Sequence, residues 1–254
     1  MADRIDRLHL PGFSIIQDKE TFCYGIDAVL LADFALKNIP DHFFTCVDLG
    51  TGNGIIPVLL CAQNKNVKVT GLEIQEKMAD MAQRSAKLNK LENRIQIVPG
   101  DIKNVSADFE KGCADFVTSN PPYMLASRGR QSENSVRMIA RQELLCSLDD
   151  VVKAAGFLLR KGGIFFMIHR AERLNEISDC LVKNGFNEIE IRLIRPFAGK
   201  KATMALFCSK TEAGHENNGA YIRYLEDLII YDEPCSPQST PEYTAEVKKI
   251  YGKD

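Results

Sequence analysis

Residues 45–60 read TCVDLGTGNGIIPVLL, and the fold turns on them. TCVDL is a short apolar run bounded by turn residues, which reads as a buried strand. IIPVLL opens a helix in which Pro57 is tolerated in the first turn. Between them Gly50, Gly52 and Gly54 follow a GxGxG spacing, distinct from the GxGxxG of dinucleotide-binding folds. A strand that passes through glycines into a helix lets a ligand approach backbone N–H groups at the helix start.

The same alternation continues outward. VKVTGLEI (67–74) reads as a strand and QEKMADMAQRSAKLNK (75–90) as a helix, with apolar positions three and four apart. RIQIVPGD (94–101) and ADFVTSN (114–120) read as strands. Residues 143–163 read as a helix stopped by glycines, IFFMIH (164–169) as a strand and 171–185 as a second Gly-capped helix. NEIEIRLIRP and KATMALFCSK close the series as a hairpin through residues 197–199, while 124–142 reads as a loop or weak helix. Ahead of the glycine loop, residues 7–17 read as two short strands around Pro11-Gly12, and an amphipathic helix spans 25–37. Alternating strands and helices imply an α/β fold with a mostly parallel sheet covered on both faces. The expected organisation is one α/β domain (41–210) with an N-terminal appendage (1–40) and a C-terminal extension (211–254).

Composition narrows the function. The chain has 254 residues, 45% hydrophobic and 26% charged, enough to bury a core. A net charge of −2 and a pI of about 6.1 argue against a generally basic nucleic-acid coat. No apolar run approaches the ~20 residues of a membrane span, and MADRIDRLHLPG lacks the apolar core of a secretory signal. The eight cysteines form no CxxC pair and the four histidines are scattered, so no metal site is expected. Reduced thiols and a cytoplasmic, monomeric protein are the expectation.

Three acids and one further motif occupy successive strand ends. Glu73 ends the second strand, where a carboxylate can accept both ribose hydroxyls of an adenosine. Asp101, in PGDI, can accept from an adenine amino group. Asp48 either serves the ligand's amino-acid end or fixes the loop by hydrogen bonds. DFVTSNPPYML (115–125) leaves the fourth strand through Asn120, Pro121, Pro122 and Tyr123. Adjacent prolines remove two donors and hold the chain extended, and Asn120 adds an uncharged acceptor. Such a corner suits a planar amine: Asn120 and the Pro121 carbonyl accept its two hydrogens, and Tyr123 stacks on its ring. A rigid proline turn uses the same residues.

VDLGTGNG, GLEI, PGDI and NPPY resemble the motif series of class I S-adenosylmethionine-dependent methyltransferases of the amino-nitrogen branch. CYGIDAVLLADF (23–34), IARQE (139–143), RPFAGKKA (195–202) and LIIYD (228–232) extend the likeness towards the bacterial tRNA(Val) adenine-N6 methyltransferase family. That resemblance implies a Rossmann-like seven-stranded sheet with an antiparallel last strand. It implies S-adenosylmethionine as cofactor and the adenosine just 3′ of the anticodon as target. Carried over by motif, Gly50, Gly52, Gly54, Asp48, Glu73, Ile74, Asp101, Ile102 and Asn120 face the cofactor, with Gly25 and Asp27 in an N-terminal cofactor-side motif. Asn120 to Tyr123 face the base. Gln142 stands where family members commonly carry histidine. For tRNA, the cationic candidates are Arg128, Arg130, Arg137 and Arg141, with Arg192, Arg195, Lys200 and Lys201 on the final strands. A release-factor-type glutamine methyltransferase shares NPPY but carries a sizeable helical domain ahead of the glycine loop, where this chain has 46 residues. A cofactor-loaded RNA-binding protein without chemistry does not need two acceptors aimed at one nitrogen.

Overall fold

The computed structural model describes residues 3–18, 24–121, 146–211, 220–233 and 240–253. An antiparallel hairpin, β1 (Arg4–Arg7) and β2 (Ser14–Gln17), leads into α1 (Ile26–Asn38). Then follow β3 (Thr45–Leu49), α2 (Ile55–Gln63), β4 (Lys68–Glu73), α3 (Glu76–Leu88), β5 (Ile95–Pro99), α4 (Val105–Asp108) and β6 (Ala114–Ser119). After the undescribed 122–145 come α5 (Leu148–Leu158), β7 (Leu159–Arg170), α6 (Leu174–Lys183), β8 (Glu188–Arg195) and β9 (Met204–Lys210). The chain ends in β10 (Tyr221–Tyr224), β11 (Leu228–Ile229) and α7 (Ala245–Ile250).

The seven expected strands are present in the order β8-β9-β7-β6-β3-β4-β5, with β9 antiparallel to both neighbours and the other pairs parallel. Two short strands beyond the seven expected, β10 and β11, widen the sheet by pairing along β8. Helices cover both faces. One core lies under α1, α2 and α3 (Leu30, Leu31, Leu59, Phe116, Phe166) and the other under α5 and α6 (Val117, Phe165, Phe186, Phe207).

Two elements differ from the sequence reading. Of the helix expected over 143–163, residues 143–145 fall outside the described residues, and the described part is helical over Leu148–Leu158. Ser147 starts it with a reciprocal cap, its hydroxyl accepting from the Asp150 N–H while Asp150 accepts from the Ser147 N–H. The glycines that read as its stop lie instead within β7, beside a register shift between Ala114 and Phe116. The helix expected to be amphipathic, α1, is buried on nearly every side because it packs on α2, β7, β9 and α7.

The amino edge of the sheet is stapled by one carboxylate. Asp115 accepts from the N–H groups of Phe44 and Thr45 (both 2.8 Å), from the Thr45 hydroxyl (2.7 Å) and from Arg160. Those donors hold its pKa at about 2 against the opposing effect of burial. Asp115→Asn replaces an acceptor-only group by one that also carries donors. It should cost about 1.5–3 kcal/mol, read as a lower urea midpoint at unchanged m-value; an unaltered midpoint would remove Asp115 from the account of the fold.

Candidate active site

All parallel strands point their carboxyl ends the same way, and the motif residues collect there. Leaving β3, the chain turns through Gly50, Gly52 and Gly54, all at positive φ (71°, 58° and 83°), the left-handed region that glycine enters without penalty. A Cβ on Gly54 would stand 3.1 Å from the Cβ of Ala82, so glycine also lets α2 and α3 approach closely.

Glu73 ends β4 and holds this loop. One carboxylate oxygen accepts from the Gly52 N–H (2.8 Å) and the other from the Gln75 N–H (2.9 Å). Its side chain is buried, and burial raises its pKa in spite of those bonds. Each oxygen keeps further acceptor capacity. Ile74, the next residue, leaves a large apolar side chain 50% exposed. Ile102 is half-buried beyond β5, after Asp101 caps its short turn by accepting from the Lys103 N–H (2.9 Å).

Asp48 is almost wholly buried. One of its oxygens accepts from the Thr118 hydroxyl (2.7 Å), the Thr51 side chain lies beside the carboxyl, and the second oxygen makes no well-formed hydrogen bond among the described residues. Desolvation, reinforced by the nearby Glu73 charge, pushes its pKa up to about 7.

Asn120 leaves β6 beside α1. Its Nδ2 donates to Asp27 Oδ2 (2.9 Å). A carboxylate only accepts, so this bond settles the amide's orientation and turns Oδ1 the other way. That oxygen is buried and has no partner among the described residues. Gly25 makes the arrangement possible, since a Cβ there would lie 2.7 Å from Asp27 Oδ1. The hairpin braces this segment: the Tyr24 N–H donates to Gln17 Oε1 (3.0 Å), and Asn53 of the glycine loop donates to the Ile16 carbonyl (3.1 Å).

A cavity of about 530 Å³ lies on the α5–α6 side of this edge, lined by Leu49, Gly50, Ile102, Ser119, Pro121 and His169 and by residues of α5 and α6. His169 belongs to no sequence motif. Burial, aided by the Arg173 charge, lowers its pKa to about 4, and its Nδ1 accepts from the Arg170 N–H (2.8 Å). It is therefore a neutral wall at physiological pH.

The cationic candidates divide. Lys200 and Lys201 lie in the β8–β9 hairpin, exposed on the same carboxyl edge as Asn120. Arg192 donates to Glu246 and to the Glu226 carbonyl, and Arg195 to Asp227 and the Lys200 carbonyl, so both pin the C-terminal segment. Pro122, Tyr123, Arg128, Arg130, Arg137, Arg141 and Gln142 fall outside the described residues.

A doubly wound sheet with a glycine loop, acids at successive strand ends and an aimed amide defines the class I methyltransferase fold. The crystal structure of a predicted O-methyltransferase from Agrobacterium tumefaciens superposes with a TM-score of 0.69 over 89% of this chain and 95% of that one, at 23% identity. The methyltransferase small domain model matches residues 15–191, and the chain belongs to that family. It is 31% identical over 171 residues to a tRNA1(Val) (adenine(37)-N6)-methyltransferase of Porphyromonas gingivalis, spanning 65% of each chain. It is 25% identical over 179 residues to a release factor glutamine methyltransferase of Aliivibrio fischeri, spanning 68% of this chain and 61% of that one.

The buried Asp48 carboxyl yields a sign-specific expectation. Its folded pKa of about 7 exceeds the ordinary 3.8, so the native state holds a proton that the unfolded state has released. Stability should fall as pH rises from about 4 through about 7, by at most about 4 kcal/mol from this group. Denaturant melts of wild type and Asp48→Asn at pH 5 and 8 test this. Wild type should lose stability relative to the variant, and parallel pH profiles would contradict the buried-acid assignment.

Proposed function

We propose that the protein is an S-adenosylmethionine-dependent methyltransferase acting on the exocyclic N6 amino group of an adenosine in tRNA, the one 3′ of the anticodon of tRNA(Val). The observation that carries this reading is the Asn120 amide, whose Oδ1 is freed by the Asp27 bond and left buried without a partner among the described residues. An unmade hydrogen bond at a buried acceptor costs about 1–3 kcal/mol, which a donor on the substrate recovers.

The residues at hand suit the cofactor. The second Asp48 oxygen suits an α-ammonium, the spare lone pairs of Glu73 suit ribose hydroxyls, and Asp101 suits an adenine amino group. Ile74 and Ile102 offer apolar cover for the two faces of the base, with the glycine loop's backbone beside them. When bound, S-adenosylmethionine supplies an electrophilic methyl group on a cationic sulfur.

The chain's own part is to prepare the nitrogen. An aromatic amine is a poor nucleophile because its lone pair is delocalised into the ring. Asn120 Oδ1 and the Pro121 carbonyl accept its two hydrogens and favour a more tetrahedral nitrogen, freeing the lone pair for in-line attack. Tyr123 stacks on the base. Asn120 stays neutral, so no buried charge accumulates beside the stacked ring. The methylated amine turns acidic and releases its proton to water. Anticodon-loop bases are unpaired, so presenting one costs little unstacking energy. Domain limits of 1–40, 41–210 and 211–254 accompany this reading, as do the cation candidates of the 122–145 segment.

The similarity to adenine-N6 methyltransferases of tRNA supports this substrate over a glutamine side chain. Incubation with labelled cofactor, total tRNA and release factor decides between them. N6-methyladenosine should appear in the digested tRNA, whereas label in protein would move the function to the alternative class.

Asp27 supplies the mechanistic expectation. If it aims Asn120, Asp27→Ala should lower kcat about tenfold or more while leaving cofactor affinity nearly unchanged. Asp27→Asn, which can still accept from Nδ2, should recover part of the loss. Weakened cofactor binding at wild-type kcat would return Asp27 to the cofactor side.

A further inference from the structure

β10 is a four-residue strand paired to β8, and all four of its residues are exposed. Tyr221 and Tyr224 are 61% and 57% exposed and Ile222 39%, which puts three of the eight large exposed apolar side chains among the described residues on this strand. Ile222 and Tyr224 share one face of the strand, in register with Ile189 and Ile191 of β8, while Tyr221 lies on the other face with Arg223; a shared apolar face beside a groove marks a contact surface. Beside it lies a groove of about 360 Å³, with Leu174 and Leu193 as apolar lining, Tyr224 and Asn175 as further walls, and Arg195 and Lys201 as its cations.

Its place in the fold is specific. β8 is antiparallel to β9, which is antiparallel to β7, so β8 ends on the same edge as β6. The groove therefore opens on the edge that carries Asn120. With strands about 4.8 Å apart, three to four steps across the sheet put it roughly 14–20 Å from the Asn120 end of β6. A few nucleotides of unstacked chain cover that distance.

Its chemistry is that of a nucleotide contact. Arg192, Arg195 and Arg223 are each held by an acid (Glu246, Asp227 and Glu190), whereas Lys200 and Lys201 have no acidic partner among the described residues. The one acid among the groove's described lining residues, Glu172, stands 4.0 Å from Arg170. An exposed aromatic face flanked by unpaired cations matches a stacked base followed by its phosphate. A peptide added along the outer edge of β10 would use neither the lysines nor the groove.

We infer that this groove is a second RNA subsite, in which Tyr224 stacks a base of the single-stranded segment flanking the target adenosine and Lys200 and Lys201 hold its phosphates. This rests on the proposal that the substrate is tRNA.

Fluorescence anisotropy with the tRNA anticodon stem-loop, methyl-transfer kinetics and gel filtration test it on the full chain. Tyr224→Ala should weaken RNA binding and raise KM for RNA by about five- to 100-fold, with kcat at saturating RNA and cofactor affinity unchanged. Tyr224→Phe should restore binding, and Lys200→Ala with Lys201→Ala should flatten its salt dependence. If wild type methylates tRNA and Tyr224→Ala binds RNA as tightly, the subsite is wrong while the function stands. Loss of a dimer in Tyr224→Ala at unchanged RNA affinity would assign the patch to a second copy and overturn the inference. Wild type that transfers no methyl to tRNA defeats the function itself, and the subsite with it.

Discussion

The hydrogen bond from Asn120 Nδ2 to Asp27 Oδ2 joins two points 93 residues apart and sets which atom of the amide faces away from Asp27. A free asparagine can present either an oxygen or an NH2 group, and only the oxygen helps an amine attack. The carboxylate removes that freedom. Its own position depends on a glycine two residues earlier and on a helix buried from nearly every direction. The N-terminal hairpin then ties this segment to the glycine loop through Gln17, Tyr24, Ile16 and Asn53. The residues ahead of the sheet thus complete the edge on which the proposed chemistry occurs.

The two edges of the sheet are treated differently. At the amino edge Asp115 gathers four donors and its polar capacity is well used. At the carboxyl edge one oxygen each of Asp48 and Asn120 is buried without a well-formed hydrogen bond among the described residues, and Ile74 is exposed. Unmet polar groups and uncovered apolar surface reduce stability unless a ligand supplies the missing contacts. On this edge the orphaned oxygens lie among the motif residues, where a ligand can meet them.

Much of this was legible because the signals are local. Glycine loop, strand ends and helix periods lie within short windows, so the sheet and the acids on its edge could be read from residues 45–120. What escaped depended on distant partners. Nothing near Asp27 announces Asn120, and nothing near Glu73 announces that it also holds the Gly52 N–H. Arg192 and Arg195 look like free cations until the C-terminal segment brings Glu246 and Asp227 to them. β10 carries no alternating apolar pattern, since both of its faces are exposed. The glycines at 162–163 resemble a helix stop, yet tertiary pairing with β6 draws them into β7.

The central claim is that a neutral acceptor on Asn120 activates the target nitrogen. The most direct measurement is the single-turnover rate of methyl transfer to tRNA by Asn120→Ala, with cofactor affinity measured on the same preparation. The rate should fall by at least about a hundredfold, or about 2.7 kcal/mol, with cofactor affinity changed only modestly. Wild-type transfer by that variant would contradict the account.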